Sequence, residues 1–294
     1  MALRDPFYAV IEAGGTKFNC AIVDENRNII EELRVPTTTP AETLSACVGF
    51  FKHQKTLGRD FSEMGIASFG PLDLKPDSTY WGYVTKTPKP NWSFTSVAPY
   101  LGDALGCRVA IDTDVNAAAM AEHRWGAGQN ANVVIYVTVG TGVGGGVVIN
   151  GKPLHGLVHP EIGHFKVIPP AGIEGVCPFH GNCVEGLASG AALGKIWGQP
   201  SETLGDDHEA WDKLADVLAQ LSHNLLVGFS AEKIVFGGGV MQKDGMLEKI
   251  IAKTADSLAD YIVFPDGTGL NDIIVLPGLG TRSGLLGALA LLDS

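Results

Sequence analysis

No cluster of lysine or arginine occurs anywhere in this chain, and acids outnumber bases 32 to 21, a formal charge of −11. Nucleic-acid binders normally present a basic face to the phosphates, so the charge argues against that class. An anionic nucleotide is still admissible, because backbone N–H groups and a metal ion can hold it locally. Cysteine is sparse and odd in number: there are five, and Cys20, Cys47 and Cys107 are scattered through apolar stretches. That is the usage of a reduced cytoplasmic protein and not of a disulfide framework. No apolar run reaches the roughly 18 residues of a membrane span. The opening M-A-L-R-D-P-F-Y-A-V-I-E-A-G-G lacks the basic region and long apolar stretch of a signal peptide. A soluble, cytoplasmic chain is expected.

What is present points to a packed enzyme. With 294 residues, 45% hydrophobic and 18% charged, the chain can bury a core and divide into two domains or a duplicated unit. Its 38 glycines fall in short strings, as at tight turns where backbone approaches a ligand. Apolar runs predict strands over 7–11, 18–24, near 28–35, from 64 to the approach to Pro71, and over 108–112, with helices from Pro40 to about 57, over 95–105 and over 115–125. Residues 72–93 read as loop. The second half predicts strands over 132–138, 145–149, 233–236 and 273–276, and helices over 186–197, 209–229, 244–260 and 281–292. A polar insert rich in His and Cys occupies 155–184. Each half opens with strand, glycine turn, strand and continues in alternating helix and strand, which predicts an α/β fold with a mixed sheet in each half.

Three glycine strings carry the nucleotide reading. Gly14, Gly15, Thr16 and Lys17 join two predicted strands and offer backbone donors, a hydroxyl and a cation. A plain hairpin would look similar. The matching place in the second half holds T-V-G-T-G-V-G-G-G, with Thr138, Gly140, Thr141 and Gly142, more threonine and glycine than a bare hairpin needs. Two such turns are expected to face a polyphosphate from either side. Neither is a Walker loop or a Rossmann fingerprint, since strands follow where a helix should begin. The third string, Gly237, Gly238, Gly239, Val240 and Met241, ends a strand and leads into a helix, a suitable place for adenine and ribose.

D-T-D-V-N-A-A-A follows strand 108–112. Its Thr113 or Asp114 can cap the next helix, or one of Asp112 and Asp114 can accept the proton of an attacking hydroxyl. H-P-E-I-G-H, then C-P-F-H-G-N-C-V-E, give Cys177, His180 and Cys183 in a Cys-x2-His-x2-Cys spacing with His164 as fourth ligand. Soft and borderline donors with no open position suit a structural zinc. His155 and His159 are alternative ligands or hydrogen-bonding surface residues. Glu161 and Glu185 flank the loop, and a carboxylate can accept from two hydroxyls of a polyol.

These strings together resemble the ROK family (repressors, open reading frames, kinases) of the sugar kinase–actin–Hsp70 superfamily, from Glu12 to the last helix. S-F-G-P-L-D, T-P-K-P-N-W and the Cys/His loop look most like its bacterial fructokinase subgroup. The resemblance implies a two-domain actin-like ATPase (ribonuclease H-like) fold, duplicated, with mixed sheets and an inserted zinc loop at 155–184. The expected division is a small domain over 1–118 and a larger one over 119–294, the C-terminal helix returning to the small domain. It further implies ATP with Mg2+, structural Zn2+, a hexose acceptor and a homodimer. Asp114 would be the general base; Asn116, Glu161, His164 and Glu185 the sugar site; His164, Cys177, His180 and Cys183 the zinc ligands; Gly14 to Lys17, Thr138, Gly140, Thr141 and Gly142 the phosphate turns; and Gly237 to Met241 the adenosine site. Fructose is favoured, with mannose, glucose and N-acetylmannosamine kinases as alternatives. Glu12 stands where Asp is usual, which leaves the Mg2+ side open. Thr113 stands where many glucose-specific relatives carry Asn, which argues against glucose. A sugar sensor or repressor is the non-enzyme alternative, disfavoured because the first turn starts by Glu12 and the charge is wrong for DNA.

Overall fold

The structure, a computed structural model, describes residues 7–265 and 267–293. Residues 1–6, part of the stretch read above as lacking a leader, lie outside the described residues. The first elements are β1 (Phe7–Ala13), β2 (Lys17–Asp24), β3 (Ile29–Pro36), α1 (Pro40–Thr56), β4 (Glu63–Ser68), β5 (Tyr83–Val84), β6 (Thr95–Ser96), α2 (Ala98–Leu105), β7 (Arg108–Thr113) and α3 (Asp114–Trp125). Then come β8 (Val133–Val139), β9 (Val143–Ile149), β10 (Lys152–Pro153), α4 (Val184–Ala188), α5 (Gly190–Trp197), α6 (Ala210–Phe229), β11 (Lys233–Gly237), α7 (Met246–Leu258), α8 (Leu270–Ile273), β12 (Ile274–Val275) and α9 (Ser283–Ala290). Among these, no helix is long and apolar enough to cross a membrane. Two compact units form. One gathers the described residues of Met1–Arg124, Gly151–His159 and Arg282–Ser294, the other Trp125–Asn150 and Pro160–Thr281.

The first unit is built on a sheet of order β3-β2-β1-β4-β7. β1, β2 and β3 pair antiparallel, whereas β4 and β7 run parallel to β1. The register Ala13↔Ser68 and Ser68↔Thr113 brings the carboxyl ends of β1, β4 and β7 to one edge. β3, at the outer edge, exposes Glu31, Glu32 and Arg34, charges that discourage edge pairing. Helix α1 starts where it should: Thr39 and Glu42 form a capping box with Pro40 in the first turn. Its Leu44, Cys47 and Phe51 join a core that includes Phe18, Phe61 and Trp92. The 72–93 stretch, read as loop, thus buries Trp92 completely, with its indole N–H donating to the Thr38 carbonyl at 2.9 Å. α9 lies against this same sheet. A Cβ on Gly65 of β4 would sit 1.8 Å from the Ala288 carbonyl oxygen, so only glycine permits that approach.

The second unit repeats the pattern, with β9, β8, β11 and β12 in order. β8 and β9 form an antiparallel hairpin, and β11 and β12 run parallel to β8. Leu214, Leu218, Leu221 and Leu225 recur on one face of α6 and are buried. The predicted helix over 186–197 is two helices. Ser189 breaks it in extended backbone (φ −71°, ψ 155°) and caps α5 by accepting from Ala192 N at 3.0 Å. The predicted strand over 273–276 shortens to β12, because α8 occupies the residues before it.

Candidate active site

In the first unit, the Gly14–Lys17 turn caps the β1–β2 hairpin at the edge where the parallel strands end. Gly14 N donates to the Lys17 carbonyl at 2.9 Å, and Thr37 Oγ1 to the Gly14 carbonyl at 2.8 Å. Gly15, Thr16 and Lys17 are exposed. Glu12 faces inward: its Oε2 accepts from Asn19 Nδ2 at 2.7 Å, and a Cβ on Gly284 would fall 2.1 Å from its Oε1.

The same edge carries the acids, and their surroundings separate them. Thr113 supplies the cap of α3, its Oγ1 accepting from Asn116 N at 3.2 Å. Asp112 is buried, its Oδ1 accepting from Thr113 N at 2.7 Å and from Asn116 Nδ2 at 2.8 Å. Its Oδ2 meets His155 Nε2 at 2.8 Å. Asp114 is only half-buried at the first turn of α3, with Oδ1 accepting from Val115 N at 2.9 Å. Asp112 is therefore engaged as scaffold, and Asp114 is the more accessible acid. Asn116 is 1% exposed and braces Asp112.

His155, left open by the sequence, belongs to this network and not to the cluster of His164, Cys177, His180 and Cys183. The Asp112 hydrogen bond holds its imidazolium above the usual histidine range, partly opposed by burial. A raised folded-state pKa contributes stability that is present below the unfolded value and fades as pH rises through the folded one. The melting temperature of wild type over His155→Gln should therefore be most elevated below about pH 6.5, and the gap should shrink as pH rises through the raised folded-state pKa. A gap that does not vary with pH would mean that the pair carries no charge. His159 is 6% exposed and accepts from Leu72 N at 3.2 Å.

In the second unit, two glycine strings almost a hundred residues apart in sequence become neighbours. β8 and β11 pair with Thr138 opposite Gly237, so both strings leave the carboxyl ends of adjacent parallel strands. Gly238 has φ 94°, and a Cβ there would lie 2.3 Å from the Val139 carbonyl oxygen; both facts require glycine. Gly140, Thr141, Gly239 and Val240 line a cavity of about 790 Å³, while Met241 is buried. The cavity also takes Glu202, Trp211 and Lys243, which sequence reading missed. Lys243 Nζ sits 5.3 Å from the Trp211 ring centroid and pairs with Asp206. Its place two residues past Met241 was the available signal.

His164, Cys177, His180 and Cys183 converge, their donor atoms all within 4.8 Å of one another, and could hold a metal ion. Burial pushes the Cys183 thiol up to about 11, so a cation here would be needed to release its proton at neutral pH. Glu185 is half-buried in the first turn of α4, its Oε2 accepting from Val143 N at 3.1 Å. Glu161 is exposed beside the short turn that carries His164.

The ROK family profile matches residues 8–294. The chain belongs to the ROK family. It is 49% identical to a fructokinase of Zymomonas mobilis over 290 residues, covering 97% of this chain and 95% of that protein. A fructokinase of Streptococcus mutans is 40% identical, covering 97% and 96%. Among solved structures, the ROK hexokinase of Thermus thermophilus superposes with a TM-score of 0.77 at 26% identity, over 97% of each chain. A ROK glucokinase of Streptomyces griseus, solved with glucose and AMPPNP, gives 0.74 at 25% identity over 96% and 97%. The two mixed sheets seen here are thus the actin-like ATPase arrangement of ROK sugar kinases.

Proposed function

We propose that this ROK protein is an ATP-dependent fructokinase, converting ATP and D-fructose to ADP and D-fructose 6-phosphate. The observation that carries the kinase reading is the pairing of Thr138 with Gly237, which sets two glycine strings around one cavity. Likeness along nearly the full chain to fructokinases of two organisms supports the choice of sugar. In this reading the Gly14–Lys17 and Thr138–Gly142 turns hold the phosphates, and Gly237 to Met241 hold adenosine. Asn116, Glu161, His164 and Glu185 build the sugar site. Asp114 accepts the proton of the attacking hydroxyl as its oxygen bonds to the γ-phosphorus and the bond to the β-phosphate oxygen breaks, releasing ADP. Mg2+ arrives with ATP and would supply charge neutralisation on the phosphates. A homodimer in the cytoplasm belongs to the same proposal.

The metal proposed at the Cys/His cluster is structural zinc. Tetrahedral zinc, with Zn–S about 2.3 Å and Zn–N about 2.0–2.1 Å, separates S from N by about 3.6 Å. Cys177 Sγ lies 3.7 Å from His180 Nδ1, and Cys183 Sγ 3.6 Å from His164 Nδ1. The donor set fits.

The test is ADP release with ATP and Mg2+ against fructose, mannose, glucose and N-acetylmannosamine. Fructose should give the highest kcat/KM. A different preferred sugar would overturn the fructokinase reading, and no turnover on any sugar would overturn the kinase reading.

A further inference from the structure

The Cys/His cluster and the phosphate turn of the second unit are joined by a continuous run of short contacts. Cys183, one of the four ligands, caps α4, its Sγ accepting from Gly186 N at 3.4 Å. That cap fixes the helix turn bearing Glu185, whose Oε2 takes the N–H of Val143 at 3.1 Å. Val143 is the first residue of β9, directly after the Gly140–Gly142 tip. A Cβ on Gly142 would lie 2.7 Å from that same Oε2, so the carboxylate packs against the turn itself. The other end of α4 contributes too. Gly190 N, the first of α5, donates to the Gly140 carbonyl at 2.7 Å, and Ala191 N to the Thr141 carbonyl at 3.3 Å. Gly163, next to the ligand His164, completes the bracket: a Cβ there would meet the Val143 carbonyl oxygen at 1.9 Å.

The turn needs such a bracket. Glycines at 140, 142 and 144–146 leave its backbone many alternatives, and ordering them costs free energy whenever a ligand must do it. A carboxylate beside a phosphate site would also repel the ligand unless its charge were taken up by the turn's own N–H groups. We propose that Glu185 is a positioning residue for the nucleotide: the metal cluster fixes Glu185, and Glu185 fixes the phosphate turn through Val143. The inference rests on the reading of this turn as a nucleotide site, and it gives Glu185 a role separate from any contact with sugar.

The test is binding of AMPPNP with Mg2+, by calorimetry and with no sugar present, to the metal-loaded wild type, Glu185→Ala and Glu185→Gln, with metal content measured on each. Glu185→Ala should keep its metal and bind AMPPNP at least about tenfold more weakly, since one pre-ordering hydrogen bond to a charged group is lost. Glu185→Gln keeps an acceptor for Val143 N and should recover most of that loss. Chelating the metal should weaken binding by wild type but add little in Glu185→Ala, because both act through one path. Wild-type affinity in metal-loaded Glu185→Ala, or equal losses on chelation in both backgrounds, would overturn the inference while leaving the kinase reading intact. Failure of wild type itself to bind AMPPNP would overturn both.

Discussion

Replacing Asp114 by asparagine is expected to lower kcat by roughly 10²–10⁴-fold, the usual worth of a general base, while AMPPNP affinity stays within about twofold because no phosphate turn is touched. The reasoning is local. Asparagine has the same shape and can keep the 2.9 Å hydrogen bond from Val115 N, but it cannot take a proton from a sugar hydroxyl. The cap of α3 belongs to Thr113, so the substitution does not remove the group that starts the helix. Asp112 cannot stand in, since Thr113 N, Asn116 Nδ2 and His155 already surround its carboxylate. Steady-state kinetics on the preferred sugar, with calorimetry for AMPPNP, check this. Near-normal turnover would remove Asp114 from the reaction.

The second large effect is expected at Cys183. Cys183→Ala should abolish metal retention and lower the melting transition by on the order of 10 °C, a loss of roughly 3–5 kcal/mol at about 2–4 °C per kcal/mol. Two functions vanish together, a ligand of the cluster and the cap of α4. Apart from the cluster, the segment between His164 and Cys183 is held by turns, by the isolated bridges Lys166↔Cys183 and Cys177↔Gly181, and by single hydrogen bonds such as those of Ile168 with Gln220 and of Val176 N with the Gly186 carbonyl. Cys183→Ser separates the two losses: a hydroxyl still caps a helix but binds zinc weakly, so it should lose metal yet melt above the alanine variant. Elemental analysis with scanning calorimetry decides. An unchanged melting temperature in a metal-free Cys183→Ala protein would end the structural-metal reading.

Much of the fold was legible because short β-branched and aromatic runs that end at a glycine or polar turn favour strands. β1, β2, β8 and β11 fall where the sequence puts them, within a few residues at each end. The helix over 186–197 was misjudged for a specific reason. Ser189 has no strong propensity against a helix interior, and only its bond from Ala192 N reveals it as a cap. That break aims the start of α5 at Gly140, an orientation that hydrophobic periodicity does not encode. Trp92 likewise sits in a stretch of prolines and lysines that reads as solvent loop, yet it fills the first core.

The candidate site divides along the same line. Residue chemistry and short spacing were enough to single out the Cys-x2-His-x2-Cys group, whose donor atoms do converge with His164, and to mark each glycine string, because a tight turn or a chelating loop is a local object. They also limited the candidates for the proposed general base to Asp112 and Asp114. Tertiary structure decided the rest, through contacts distant in sequence. It engaged Asp112 with His155, 43 residues away, leaving Asp114 the more accessible. It set Gly237 beside Thr138 by parallel strand pairing, brought Trp211 and Lys243 to their cavity, and laid Glu185 on Val143. The sequence alone determines which chemistry is available. Strand register and helix caps decide which of those groups meet, because each is a choice among long-range pairings that no local pattern distinguishes.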